Sequence, residues 1–117
     1  DDVDKVILEK TIDKILSTWN FKRIWGWDFP MLAMTAARLG RPELAVDLLL
    51  HDNYIFDEHG LAYGEGSPYP YFPSNGGLLT AIAMMAEGWD GAGDVTAPGF
   101  PKDSSWKIKY ENFHKFP

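Results

Sequence analysis

The sequence predicts a mainly α-helical fold, two helical hairpins over residues 1–90 followed by a Gly/Pro-rich tail over 91–117 with one short strand. Three observations carry this. Met31–Leu39 and Leu78–Ala86 are apolar on every side, the pattern of helices buried in the middle of something large. Residues 3–19 and 42–50 show the helical spacing of amphipathic outer helices instead. The 45% of hydrophobic and 15% of aromatic residues in 117 suffice for one packed core.

In helix one, Leu8, Ile12, Ile15, Leu16 and Trp19 form a stripe, with Asp4, Lys5, Glu9, Lys10, Asp13 and Lys14 on the other side. Helix two opens at Asp28, read as an N-cap whose carboxylate accepts from the free amides of the first turn. Pro30 sits in that turn, where its missing N–H is harmless, and Gly40 ends the helix. Helix three starts at Pro42 and runs to Leu50. The segment from His51 to Gly77 is too long for a simple connector, and its aromatic content argues for an ordered loop. It ends at Asn75, read as the N-cap of a fourth helix of about 12 residues. In the tail, Trp106–Tyr110 alternates apolar and polar side chains, the pattern of a strand.

Short links make helices two and four parallel, so their amino-terminal ends share one end of the bundle. The loop with Trp25, Trp27 and Asp28 then faces the loop with Glu65, Tyr69, Tyr71, Phe72 and Asn75, and two helix dipoles point their positive ends there. Aromatic faces beside carboxylates and an amide suit a sugar, whose C–H face packs on rings while its hydroxyls take polar partners. Trp25, Trp27, Tyr69, Tyr71 and Asn75 are the expected binding residues, with Asp28 and Glu65 as the candidate catalytic carboxyls. An inverting hydrolase sets one protonated and one ionised carboxyl about 6.5–9.5 Å apart. As a helix cap, Asp28 is expected to stay ionised, which leaves Glu65 as the better catalytic candidate.

The net charge of −6, with Lys and Arg scattered singly, offers no stripe for nucleic acid. Zero cysteines exclude disulfides and thiolate metal sites. His51, His59 and His114 lack metal-ligand spacing, Asp52, Asp57, Glu58 and His59 lack the alternation of a calcium loop, and no nucleotide or nucleophile motif occurs, so neither metal nor cofactor is expected. No apolar run approaches the length of a membrane span, and none is expected.

The stretches Trp19-Asn20, Trp25-Gly26-Trp27-Asp28-Phe29-Pro30-Met31, Ala36-Ala37-Arg38-Leu39-Gly40, Pro73-Ser74-Asn75-Gly76-Gly77-Leu78-Leu79, Gly88-Trp89-Asp90-Gly91 and Pro98-Gly99-Phe100-Pro101 resemble the carboxy-terminal end of six-hairpin glycosidase-like proteins from gut-type bacteria. Those are (α/α)6 toroids, and the resemblance spans most of residues 3–111. It implies two hairpins of a toroid, inner helices aimed at a carbohydrate cleft, glycosidic hydrolysis as the parent activity, and a periplasmic or extracellular setting. Inverting α-fucosidases place an Asp-Gly-Asn turn before the last inner helix. Phe72-Pro73-Ser74-Asn75-Gly76-Gly77 matches its amide at Asn75 and has no carboxylate at the Asp position. The general acid of such toroids comes from an earlier hairpin, so this chain is expected to be catalytically incomplete alone.

Four helices cannot cover every side of two apolar ones, and a lone strand needs a sheet. The missing partner is either the remainder of a longer chain or further copies in a homo-oligomer. The alternative function is a non-catalytic helical interaction module in which the aromatics are all core.

Overall fold

The computed structural model describes residues 3–117, and it is mainly helical, with four α-helices and a small two-stranded antiparallel sheet. Helix α1 (Lys5–Thr18) is capped by Asp4, whose carboxylate accepts from the amides of Val6 and Ile7 at 2.9 and 3.2 Å. Ile12 is its one buried residue, with Ile15 and Leu16 packed at the margin of the core. Helix α2 (Asp28–Arg38) is the centre of the fold, burying Phe29, Leu32, Ala33, Ala36 and Ala37. Gly40 ends it as expected, with a φ of 74° that favours glycine. Helix α3 (Pro42–Leu49) follows at once and buries Ala45, Val46 and Leu48 against α2. An Arg41 to Asp13 ion pair at 2.6 Å ties this turn to α1.

The long segment after α3 holds a hairpin that sequence reading missed. Strands β1 (Ile55–Phe56) and β2 (Ala62–Tyr63) pair Ile55 with Tyr63 and Phe56 with Ala62. Asp57 organises the turn between them: its Oδ1 accepts from the amides of His59 and Leu61 at 2.9 and 2.8 Å. Helix α4 spans Phe72–Glu87, with Tyr71 at the cap position. It therefore starts before Asn75 and is longer than expected, because Pro73 fits the first turn and Asn75 is held elsewhere.

Helices α2 and α4 run parallel. Near their amino ends Gly77 abuts Pro30, where an added β-carbon would fall 2.7 Å from the ring's Cγ. Beyond their carboxyl ends the Arg38 guanidinium lies 5.8 Å from the centre of the Trp89 ring. Tyr54 pins the two helices together, stacking on Phe29 at 5.0 Å and donating its hydroxyl to the Ser74 carbonyl at 2.8 Å. Burial pushes the Tyr54 hydroxyl up to about 12, so it stays a donor across the ordinary pH range.

The tail forms no strand at Trp106–Tyr110. Alternation alone does not make a strand, and the tail packs by side chains instead of joining the β1–β2 sheet. Trp106 meets Phe100 at 5.6 Å, and Ile108 leans on the core. Tyr110 stacks on Phe113 and bonds to Glu87, which raises the Tyr110 hydroxyl above its usual range. The chain returns to the end of α4 through a single bridge of Trp89 with Phe116, and Arg38 donates to the Pro117 carbonyl at 2.7 Å. Among the described residues no helix is long and apolar enough to cross a membrane.

Candidate functional site

The amino ends of α2 and α4 meet, and their loops interlock at two glycines. A β-carbon on Gly66 would sit 2.1 Å from the Arg23 carbonyl oxygen and 2.8 Å from that of Ile24, so the loop carrying Glu65 lies directly on the loop before Trp25. At Gly26 a β-carbon would meet the Ser74 hydroxyl oxygen at 2.3 Å, pressing the α2 entry loop onto the first turn of α4. At Gly66 the obstacles are backbone atoms, so only glycine permits the approach; at Gly26 the obstacle is a side-chain hydroxyl.

This contact sets Trp25 edge-on to Tyr71, ring centres 5.1 Å apart and planes at 89°, a favourable arrangement for two quadrupoles. Trp25 and Trp27 are each 47% exposed. Tyr69, Phe72 and Tyr63 are also exposed, with Tyr63 and Tyr69 meeting edge to face at 6.3 Å. The reading in which every aromatic is core does not hold for these rings. The Tyr69 hydroxyl donates to Asp57 Oδ2 at 2.6 Å. That bond, with the Leu61 and His59 amides, holds the Asp57 carboxyl below its usual range and raises the Tyr69 hydroxyl.

Two expected roles change. Asp28 is the first residue of α2 rather than its cap; Trp27 takes the cap position, and no side chain bonds the free amides there. The Asp28 carboxyl is half-buried, and burial raises it above the usual carboxylate range, opposed by a bond from the Trp25 backbone. Burial thus works against the ionised form that a capping position would favour. Asn75 lies inside α4 and its side chain is committed to the hairpin: Oδ1 accepts from the Ala62 amide at 3.0 Å, and Nδ2 donates to the Gly60 carbonyl at 2.7 Å. It anchors β2 to α4 and so positions Tyr69 and Tyr71, the latter also held by its amide on the Ala62 carbonyl at 2.9 Å.

Glu65 is exposed and stands 3.6 Å from the Lys22 ammonium, an ion pair across the two loops that is screened by water. Trp25, Tyr71 and Glu65 are thus carried by loops in direct contact, while Tyr69 joins them through the Asp57 turn. Sequence reading named Phe72 in this loop, missed Tyr63, and considered Asp57 only as a calcium ligand. The Asp57-Glu58-His59-Gly60 run is the signal that could have located the turn, since Asp and Gly at those offsets favour it. Among the described residues no three His, Asp or Glu side chains converge as metal ligands. At the opposite end of α2, a cleft of about 730 Å³ opens between Leu8, Arg38, Trp89 and Pro98.

Comparison of the chain with protein-family models, with curated proteins and with solved structures finds no match.

Proposed function

We propose that the joined amino ends of α2 and α4 form one wall of a carbohydrate-binding cleft, and that the chain is the terminal two-hairpin portion of a glycosidase-like protein. One observation carries the reading: Trp25, exposed, and Tyr71, half-buried, from two loops locked by glycine contacts, make a right-angled aromatic corner. A pyranose ring packs its C–H face on one ring and its edge on the other, and its hydroxyls turn to the polar groups around the corner. Trp27 and Tyr69 extend the surface. Tyr71 is positioned through the hairpin that Asn75 anchors.

The parent activity on this reading is hydrolysis of a glycosidic bond with inversion. The general acid comes from an earlier hairpin, as the resemblance implies, and Asp28, half-buried at the mouth, hydrogen-bonds sugar hydroxyls. Glu65, facing water beside Lys22, takes the side from which water is activated. An upstream hairpin completes the machinery, so the 117 residues bind without turning over.

Tryptophan fluorescence titrated with a panel of neutral monosaccharides and oligosaccharides tests this. Saturable quenching is expected, weakened about tenfold in Trp25→Ala, the equivalent of about 1.4 kcal/mol, and unchanged in Trp106→Ala. A panel without any saturable response, or equal binding by Trp25→Ala, contradicts the reading.

A further inference from the structure

The side of α4 turned away from α2 is bare. Phe72, Gly76, Leu79 and Ala83 stand at i, i+4, i+7 and i+11, one stripe along the helix. Phe72 is 62% and Leu79 70% exposed, Ile82 flanks them, and α4 carries no charge before Glu87. Gly76 has no explanation inside the chain. At its neighbour Gly77 a β-carbon would collide with Pro30, whereas at Gly76 it would meet nothing within 4 Å, and the backbone there is ordinary helix.

The stripe therefore reads large, small, large, small. Turned end for end it reads small, large, small, large, so it is complementary to itself under a two-fold axis. Antiparallel apposition of two such helices lays Phe72 over the partner's Ala83 and seats Leu79 in the notch above the partner's Gly76, and each contact occurs twice. We propose that this face of α4 is the isologous interface of a homodimer, with Leu79 and Gly76 as its central knob and hole. The occupant is a second copy because size alternation, reversal and absence of charge all match the stripe to itself.

Burial of the stripe and its flanks removes on the order of 500 Å² per copy, hence about 1,000 Å² in all, the lower bound of a specific interface. A weak, concentration-dependent dimer is the expected result. Trp25 and Tyr71 lie off this stripe, so sugar binding and self-association are read separately; the stripe is the face that the remainder of a longer chain would otherwise cover.

Sedimentation equilibrium of the 117-residue chain from micromolar to millimolar concentration tests it. The mass is expected to rise from 13.2 kDa toward twice that value. Leu79→Glu removes the knob and Gly76→Leu fills the hole; both positions face solvent in the monomer, so both variants keep the helical circular dichroism of the parent. Each is expected to weaken association at least tenfold, while Ile7→Glu, on the exposed side of α1, leaves it unchanged. A monomer at every concentration overturns the proposal and leaves the face to another helical hairpin. A dimer indifferent to both α4 variants overturns it equally.

Discussion

Phe29→Ala is expected to remove about 3–5 kcal/mol of folding stability, the range for truncating a fully buried aromatic side chain. Phe29 is fully buried at the start of α2 and touches Phe21 at 5.8 Å, His51 at 5.1 Å and Tyr54 at 5.0 Å. It joins the entry loop, the end of α3 and the segment leading to the hairpin. Its loss opens a cavity beside the rings of Phe21, His51 and Tyr54, which relax only partly into it. A chain of this size has on the order of 6–18 kcal/mol in total, so the variant is left near its unfolding threshold. Urea denaturation measures the effect, and a loss below about 1 kcal/mol contradicts the placement of Phe29 at the centre of the core.

Gly66→Ala acts at the joint between the two loops. Its β-carbon would fall 2.1 Å from the Arg23 carbonyl oxygen and 2.6 Å from the Arg23 carbonyl carbon, and backbone cannot swing aside as a side-chain tip can. The loops must part, at a cost of about 1–3 kcal/mol by comparison with overpacked sites, and the Trp25 to Tyr71 contact parts with them. Gly64→Ala is the control: its nearest contact is the Ser67 hydroxyl oxygen at an ordinary 3.8 Å, and a change within about 1 kcal/mol is expected. Thermal unfolding of the two variants side by side, with equal effects, refutes the loop contact.

The parts of the fold governed by neighbours in sequence were legible. Pro42 and Gly40 set the α2 to α3 turn by their own backbone preferences, and the stripe of Ile12, Ile15 and Leu16 marks the inner side of α1. The parallel course of α2 and α4 matches antiparallel succession through α3, although only the α2 to α3 link is short and the α3 to α4 link carries the hairpin. The failures arose where a distant group outbid a local rule. Asn75 has the chemistry of a cap, yet the unpaired Gly60 carbonyl and Ala62 amide of the hairpin claim both ends of its side chain. Asp28 has the chemistry of a cap too, yet Trp27 occupies that position and burial governs the carboxyl. Trp106–Tyr110 alternates like a strand, but β1 and β2 pair with each other and the tail finds only side-chain contacts. Of the site, the identity of the two loops and the meeting of Trp25 with Tyr71 were legible; the glycine contacts that lock them were not, because close approach is a property of the packed backbone.

The central claim is that the corner of Trp25 and Tyr71, with Trp27 beside it, receives a carbohydrate. Five tryptophans give five indole N–H signals in a proton–nitrogen correlation spectrum, and three of them, Trp19, Trp89 and Trp106, lie outside the two loops. Titration with an oligosaccharide that quenches fluorescence is predicted to shift the indole signals of Trp25 and Trp27 along a saturable course and to leave the other three in place. Shifts confined to Trp19, Trp89 or Trp106, or no shift in any of the five at saturating sugar, would contradict it.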